Sequence, residues 1–198
     1  MSTRETPDGW EDAIEREREK KRRFFGEGPR SPLPPDLQGE GFPGLDYYDP
    51  DPDDRYELEL HGYDEPEEVT VGTTAEGERS YLRYGEFSFA VDGEPVTLQA
   101  YRPTDGSDRL WLPFRDETSG EETYGAGRYL DLEPDHHRTK TGMWVVDFNR
   151  AYNPTCAYNP AYECPLIPME NWLDVRIEAG ERDFPGHGAV HGHEHDHE

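Results

Sequence analysis

Lysine is nearly absent from this chain. Its 198 residues include three (Lys20, Lys21 and Lys140) among 20 basic residues, against 45 acidic ones, for a formal net charge of −25. No basic patch offsets that charge, so nucleic acid is not an expected partner: phosphate backbones are bound through lysine and arginine. The acids are spread along the whole chain. Acid excess with arginine in place of lysine suits a cytosolic protein of a salt-loving organism, where concentrated salt screens the self-repulsion. The alternative is an acidic surface that mimics nucleic acid or receives a basic partner. Charge of this size should destabilise the fold when salt is withdrawn.

Aliphatic side chains are also scarce. Leu, Ile, Val and Phe together number 32 of 198, a fraction that beside such charge points to disorder. Four Trp, 12 Tyr and several well-alternating segments argue the other way and predict a small, aromatic-rich core. No apolar run approaches the roughly 20 residues of a membrane-spanning helix. The polar start MSTRETPDGWEDAIERERE has no secretory signal pattern. The expectation is a cytoplasmic protein with no membrane partner. Two cysteines are too few for a disulfide scaffold, and a reducing cytosol makes free thiols the default.

Asp8 is placed to cap a helix from about Trp10 to Phe25, with Glu11 and Asp12 in the first turn and Lys/Arg late. Trp10 and Ile14 are one turn apart and Phe24 and Phe25 follow near the end. This thin apolar stripe predicts a helix on the domain surface. Gly26 and Gly28 stop it, and a Pro/Gly/Asp-rich connector completes residues 1–54, expected to pack on a β-rich domain over 55–183. There YELELHG, EVTVGTT, RSYLRYGEFSFAVDG, EPVTLQAYRP, DRLWLPFRD, MWVVDFN and LDVRIEAG read as strands. Phe87, Phe89 and Val91 share one face, and Asp92-Gly93 marks a hairpin turn. No helix long enough to cross over parallel strands intervenes. The expected class is mainly β, an antiparallel β-sandwich or partly open β-barrel with an N-terminal α-helix. Residues 184–198, rich in Gly, His and acids, are expected to be a disordered tail.

The densest run of polar and aromatic groups extends from Asp147 to Arg182 and contains Asn149, Asn153, Asn159, Asn171, three tyrosines and both cysteines. Asn-Pro and Cys-Pro units are turn chemistry, and a long irregular segment of this kind is either functional or disordered. Asp147 and Asn149 alternate with Phe148 and would face one side of a strand. With Tyr152, Asn153, Tyr158, Glu170 and Asn171 they would make a polar pocket for a small substrate or a cation, Asp147 acting as acid/base or cation ligand. The alternative is that these groups satisfy the backbone of a long buried loop.

In FRDETSGEETYGAGRYLDLE, two glycine-containing turns flank Tyr124 and end at Arg128, which could grip an anionic group bidentately. The stretch is no Walker or dinucleotide motif. The alternative is a hairpin loop with Arg128 pairing Asp116 or Asp147. Cys156 and Cys164 have a spacing that matches no common zinc finger. They are a redox pair, ligands of a metal shared with Asp147 or a histidine, or small buried residues. Cys156 as a nucleophile needs a base, and outside the tail only His61, His136 and His137 are candidates. Ser119 lacks the elbow of a serine hydrolase. In the tail, His187, His191, His193, His195 and His197 would take up zinc, nickel or cobalt loosely.

Ser31-Pro32-Leu33, Phe42 with Gly44-Leu45, Phe114-x-Asp116 with Thr118-Ser119-Gly120, Thr123-Tyr124 and Gly127-Arg128-Tyr129-Leu130 form one series of motifs. Asp147-Phe148-Asn149, Ala151-Tyr152-Asn153-Pro154, Cys156-Ala157-Tyr158, Cys164-Pro165, Glu170-Asn171 and Ala179-Gly180-Glu181 continue it. In these the chain resembles an uncharacterised family of bacterial and archaeal proteins, the domain of unknown function numbered sixteen eighty-four. The resemblance spans nearly the whole chain up to the tail and implies no activity, substrate or cofactor.

The function expected from the residues is a hydrolase-like enzyme or small-ligand binder. Its pocket would be built from the Asp116–Arg128 and Asp147–Asn171 segments. The catalytic candidates are Asp147, Arg128, Tyr124 and Cys156; the ligand-binding candidates are Asp116, Asn149, Tyr152, Asn153, Tyr158, Glu170 and Asn171. One alternative is a metal-binding protein holding a divalent transition metal on Cys156, Cys164, His191, His193, His195 and His197. Another is a non-catalytic interaction or scaffold module, in which those polar groups are bonded to backbone and to each other.

Overall fold

Alternation of inward and outward side chains builds two antiparallel sheets, and the computed structural model describes them within residues 5–191. Strands β1 (Arg55–Leu58), β2 (His61–Gly72), β3 (Glu78–Val91), β4 (Glu94–Pro103), β5 (Leu110–Phe114), β6 (Arg128–Leu132) and β7 (Trp144–Asp147) follow in chain order. One sheet has the order β2-β3-β4-β5-β6, and β1 pairs with β7 in the other. The architecture is a sandwich with an N-terminal helix and no closed barrel. Asp92 (φ 48°) and Gly93 (φ 84°) take the left-handed conformation a two-residue hairpin needs, and set the register Val91↔Glu94. Phe87 and Val91 of the expected face are buried, and Phe89 packs against them.

Helix α1 (Trp10–Glu27) follows Gly9 in a left-handed conformation, with no side-chain cap from Asp8. Its inward stripe is Trp10, Ile14, Arg18 and Phe25. A basic residue stands in the middle of that stripe because it has backbone to meet: Arg18 donates to the carbonyls of Tyr48 (2.8 Å) and Asn149 (3.2 Å). The connector packs through Leu33 and Leu45, which join Phe25, Tyr158 and Phe184 in a second core cluster. The main core lies around Phe87, Leu98, Leu112, Phe114, Val146 and Phe148.

Two segments differ from expectation. β6 starts at Arg128, where the two expected glycine turns end, is not among the expected strands, and pairs with β5 from Leu110↔Leu132 to Phe114↔Arg128. LDVRIEAG buries Val175, Ile177 and Ala179 in alternation, yet belongs to neither ladder. Of the expected tail, Phe184 is buried, and a helical turn, α2 (His187–His191), follows it.

Candidate functional site

Arg128 is fully enclosed, because β6 aims it at the 177–181 segment. Its Nη1 donates to the carbonyls of Ala179 and Glu181, and its Nη2 to that of Ile177 (2.9 Å). One guanidinium thus collects three carbonyls of residues 177–181, a stretch that turns at Gly180 (φ 79°). Asp116 sits 3.4 Å from Nη2 and accepts the Ile177 amide at 2.7 Å and the Thr118 hydroxyl at 2.9 Å. Burial pushes the Arg128 pKa down while Asp116 pushes it back up. The hairpin-loop alternative, with Arg128 pairing Asp116, describes this geometry.

Asp147 ends β7. One oxygen accepts from the Trp10 indole (2.7 Å) and Arg150 (2.6 Å), the other from the backbone and side chain of Asn149. Asn149 in turn exchanges two bonds with the backbone of Asp51, at 2.9 and 2.8 Å. Asn171 makes the same exchange with Gln99, at 2.8 and 3.0 Å, and donates to the Pro113 carbonyl at 2.8 Å. It thereby staples β4 to β5 where their ladder is a single pair, Tyr101↔Trp111. Asn153 binds the Arg182 carbonyl, and Tyr152 binds Asp131.

The sequence candidates omit the most buried carboxylate beside Asp116 and Asp147. Glu181, 1% exposed, accepts from Lys21 (2.9 Å), the Asn153 amide (3.0 Å) and the Tyr158 hydroxyl. Lys21 is also held against the faces of Phe25, Tyr152 and Tyr158. The signal available was the inward position of Lys21, one turn beyond Arg18 on a helix whose other long residues face solvent. A cleft of about 100 Å³ lies beside it, lined by Arg18, Lys21, Tyr47 and Tyr152.

Cys156 and Cys164 are buried free thiols in the second core cluster. The Cys156 amide donates to the Cys164 sulfur (3.2 Å), and the Tyr124 hydroxyl lies 3.6 Å from the Cys156 sulfur. His191 reaches the Ala157 carbonyl at 3.2 Å, and its ring stacks near that of His187. Among the described residues no group of three or more His, Cys, Asp or Glu side chains is placed to hold a metal. His193, His195 and His197 lie outside the described residues.

These contacts scatter the proposed pocket. Asp116 and Arg128 meet, Asp147 and Asn149 meet, and Cys156, Cys164 and Tyr124 meet, while Asn149 and Tyr152 line the small cleft beside Lys21. Glu170 stands apart from all of these. It accepts from Tyr101 and Arg83 (3.1 Å) at the rim of a groove of about 320 Å³ between β2 and residues 166–170. Val69, Val71, Tyr101, Leu166, Ile167 and Met169 line it. Leu166 is 43% exposed and Met169 76%, with Trp172 (47%) just beyond.

The family model "Protein of unknown function (DUF1684)" matches residues 40–182, a span that includes every residue of the groove and both cysteines. Among solved structures, the solution NMR structure of an uncharacterised protein of Haloarcula marismortui is similar. It is 41% identical, with a TM-score of 0.66, over 88% of this chain and 95% of that one. No curated protein matches. The chain belongs to the DUF1684 family of proteins of unknown function.

Proposed function

We propose that the protein is a non-catalytic small-ligand-binding module whose ligand occupies the groove between β2 and residues 166–170. The observation that carries this reading is where its apolar surface lies. Of six exposed large hydrophobic side chains among the described residues, four (Tyr162, Leu166, Met169 and Trp172) fall within residues 162–172, and Leu166 and Met169 line the groove itself. On a chain of net charge −25, such a patch is the surface most in need of a partner. The groove's volume is at the lower end of the range, about 300–1,000 Å³, of ligand clefts. The polar groups that a reaction would require are meanwhile spent on backbone and on each other.

The chemistry of the rim narrows the ligand. Tyr101, Arg83 and Glu170 meet at one end, and the Arg83–Glu170 pair is partly exposed (34% and 37%), hence weak and easily opened. Glu67, also paired with Arg83, adds a second carboxylate. An apolar body with a neutral or cationic polar end fits this setting; a carboxylate end does not.

Titration with the neutral dye Nile red in concentrated salt tests the site. One saturable site is expected, weakened at least tenfold (about 1.4 kcal/mol) in Leu166→Glu and in Met169→Glu. No saturable binding, or equal binding by both variants, would overturn the reading. The cytosolic, salt-adapted setting belongs to the same proposal: the spread of acids and the Haloarcula marismortui neighbour support it.

A further inference from the structure

The thiol pair is a constellation that ligand binding does not use. Cys164 is joined to the end of β2 from both sides: its amide donates to the Thr74 hydroxyl (3.1 Å) and its carbonyl accepts the Thr74 amide (2.9 Å). Cys156 lies in a tight helical turn, Thr155–Ala157, whose backbone approaches the Cys164 sulfur. Two separate elements thus bring the Cys164 sulfur against the backbone of Cys156, 3.2 Å from its amide. The thiols also differ in character. The neighbouring Cys156 side chain, then the Cys156 and Thr155 amides, lower the Cys164 pKa against the opposing effect of burial. The neighbouring Cys164 side chain, then burial, raises that of Cys156. Burial keeps the Tyr124 phenol protonated, 3.6 Å from the Cys156 sulfur, where it can donate to a thiolate. One thiol is prepared to attack and its neighbour to resolve.

We propose that Cys156 and Cys164 are a redox modification site, at which a hydroperoxide is reduced and an intramolecular disulfide forms. The Cys164 thiolate attacks the peroxide oxygen, the O–O bond breaks, and the leaving oxygen takes a proton to depart as water or an alcohol. Cys164 is then a sulfenic acid. The Cys156 sulfur attacks it, the S–O bond breaks, and the hydroxide released takes the Cys156 proton and leaves as water. Two thiols and one hydroperoxide become one disulfide and two hydroxylic products. The Tyr124 hydroxyl supports the second step, because a Cys156 sulfur that gives up its proton can only accept from it. Exposed residues 160–163 lead directly into Cys164, which gives a small peroxide a short path from solvent.

The test is hydrogen peroxide treatment of the full folded chain, followed by denaturation, alkylation of remaining thiols and mass mapping. The expected result is that both thiols disappear together, a Cys156–Cys164 linked peptide appears, and dithiothreitol restores both. Cys156→Ser should stop the reaction at a sulfenic acid on Cys164 that dimedone traps, while Cys164→Ser should leave Cys156 alkylatable. Thiols that both stay alkylatable, thiols oxidised independently of each other, or linkage only between chains would each overturn the proposal. The wild-type arm decides even where a variant fails to fold.

Discussion

Replacing Arg128 by methionine keeps most of its aliphatic volume and removes only the charge and the donors. What is left behind is buried: the Asp116 carboxylate and the carbonyls of Ile177, Ala179 and Glu181. Removing one partner of a buried ion pair costs about 3–5 kcal/mol. Each carbonyl left dry adds about 1–3 kcal/mol, although the 177–181 segment can shift to recover part of this from water. A loss of about 4–6 kcal/mol is therefore expected, a large share of the stability of a domain with about 5–15 kcal/mol in hand. Urea denaturation at fixed high salt reads it, and the loss should persist as salt is raised, because enclosed pairs are little screened. Asp116→Asn combined with Arg128→Met should cost less than the sum of the single changes. A loss below about 1 kcal/mol, or weakened ligand binding at unchanged stability, would refute the assignment of Arg128 to the scaffold.

Asn171→Ala should cost about 1–3 kcal/mol by leaving the Gln99 amide without its partner. Hydrogen exchange at Gln99 measures this, and unchanged protection there would contradict the staple between β4 and β5. His137 is held neutral: burial, then Arg150, lowers its pKa from 6.5, and its Nδ1 accepts the Glu133 amide at 2.8 Å. Its folded pKa lies below its unfolded one, so its contribution is present above the unfolded pKa and is lost as pH falls through the folded one. Between about pH 7.5 and about pH 5.5, His137→Gln should show a shallower fall in urea midpoint than the parent; an identical slope would count against it.

Alternation marked paired strands in six of its seven segments, and in LDVRIEAG it reports burial without pairing. Leu173, Val175, Ile177 and Ala179 pack against the core on one side, as the period of LDVRIEAG requires, yet no strand pairs with its second half. There the Arg128 side chain takes the place of a neighbouring ladder. Nothing local in the sequence distinguishes a strand satisfied by backbone from one satisfied by a guanidinium supplied about fifty residues earlier. β6 was hidden for the converse reason, since glycine turns on its N-terminal side masked a short Arg-Tyr-Leu-Asp-Leu alternation. The helix looked thin because two of its inward positions, Arg18 and Lys21, are basic, and hydrophobic periodicity scores such positions as solvent.

The asparagines expose a deeper limit. A side-chain carboxamide carries the same donor and acceptor as a peptide group. Asn149 uses both on Asp51, and Asn171 uses both on Gln99, each completing the reciprocal pair that a strand would otherwise make. A loop that must bury itself without a ladder needs such residues for the same physical reason that a ligand site does. Sequence alone can therefore locate a convergence of polar groups but not say whether it converges on a ligand or on the chain itself. Here the chain is the answer for Asp116, Arg128, Asp147, Asn149 and Asn171. The groove escaped notice because its walls are Val, Leu, Ile and Met, residues whose pattern in PLIPMEN reads as ordinary packing until the structure leaves Leu166 and Met169 in solvent.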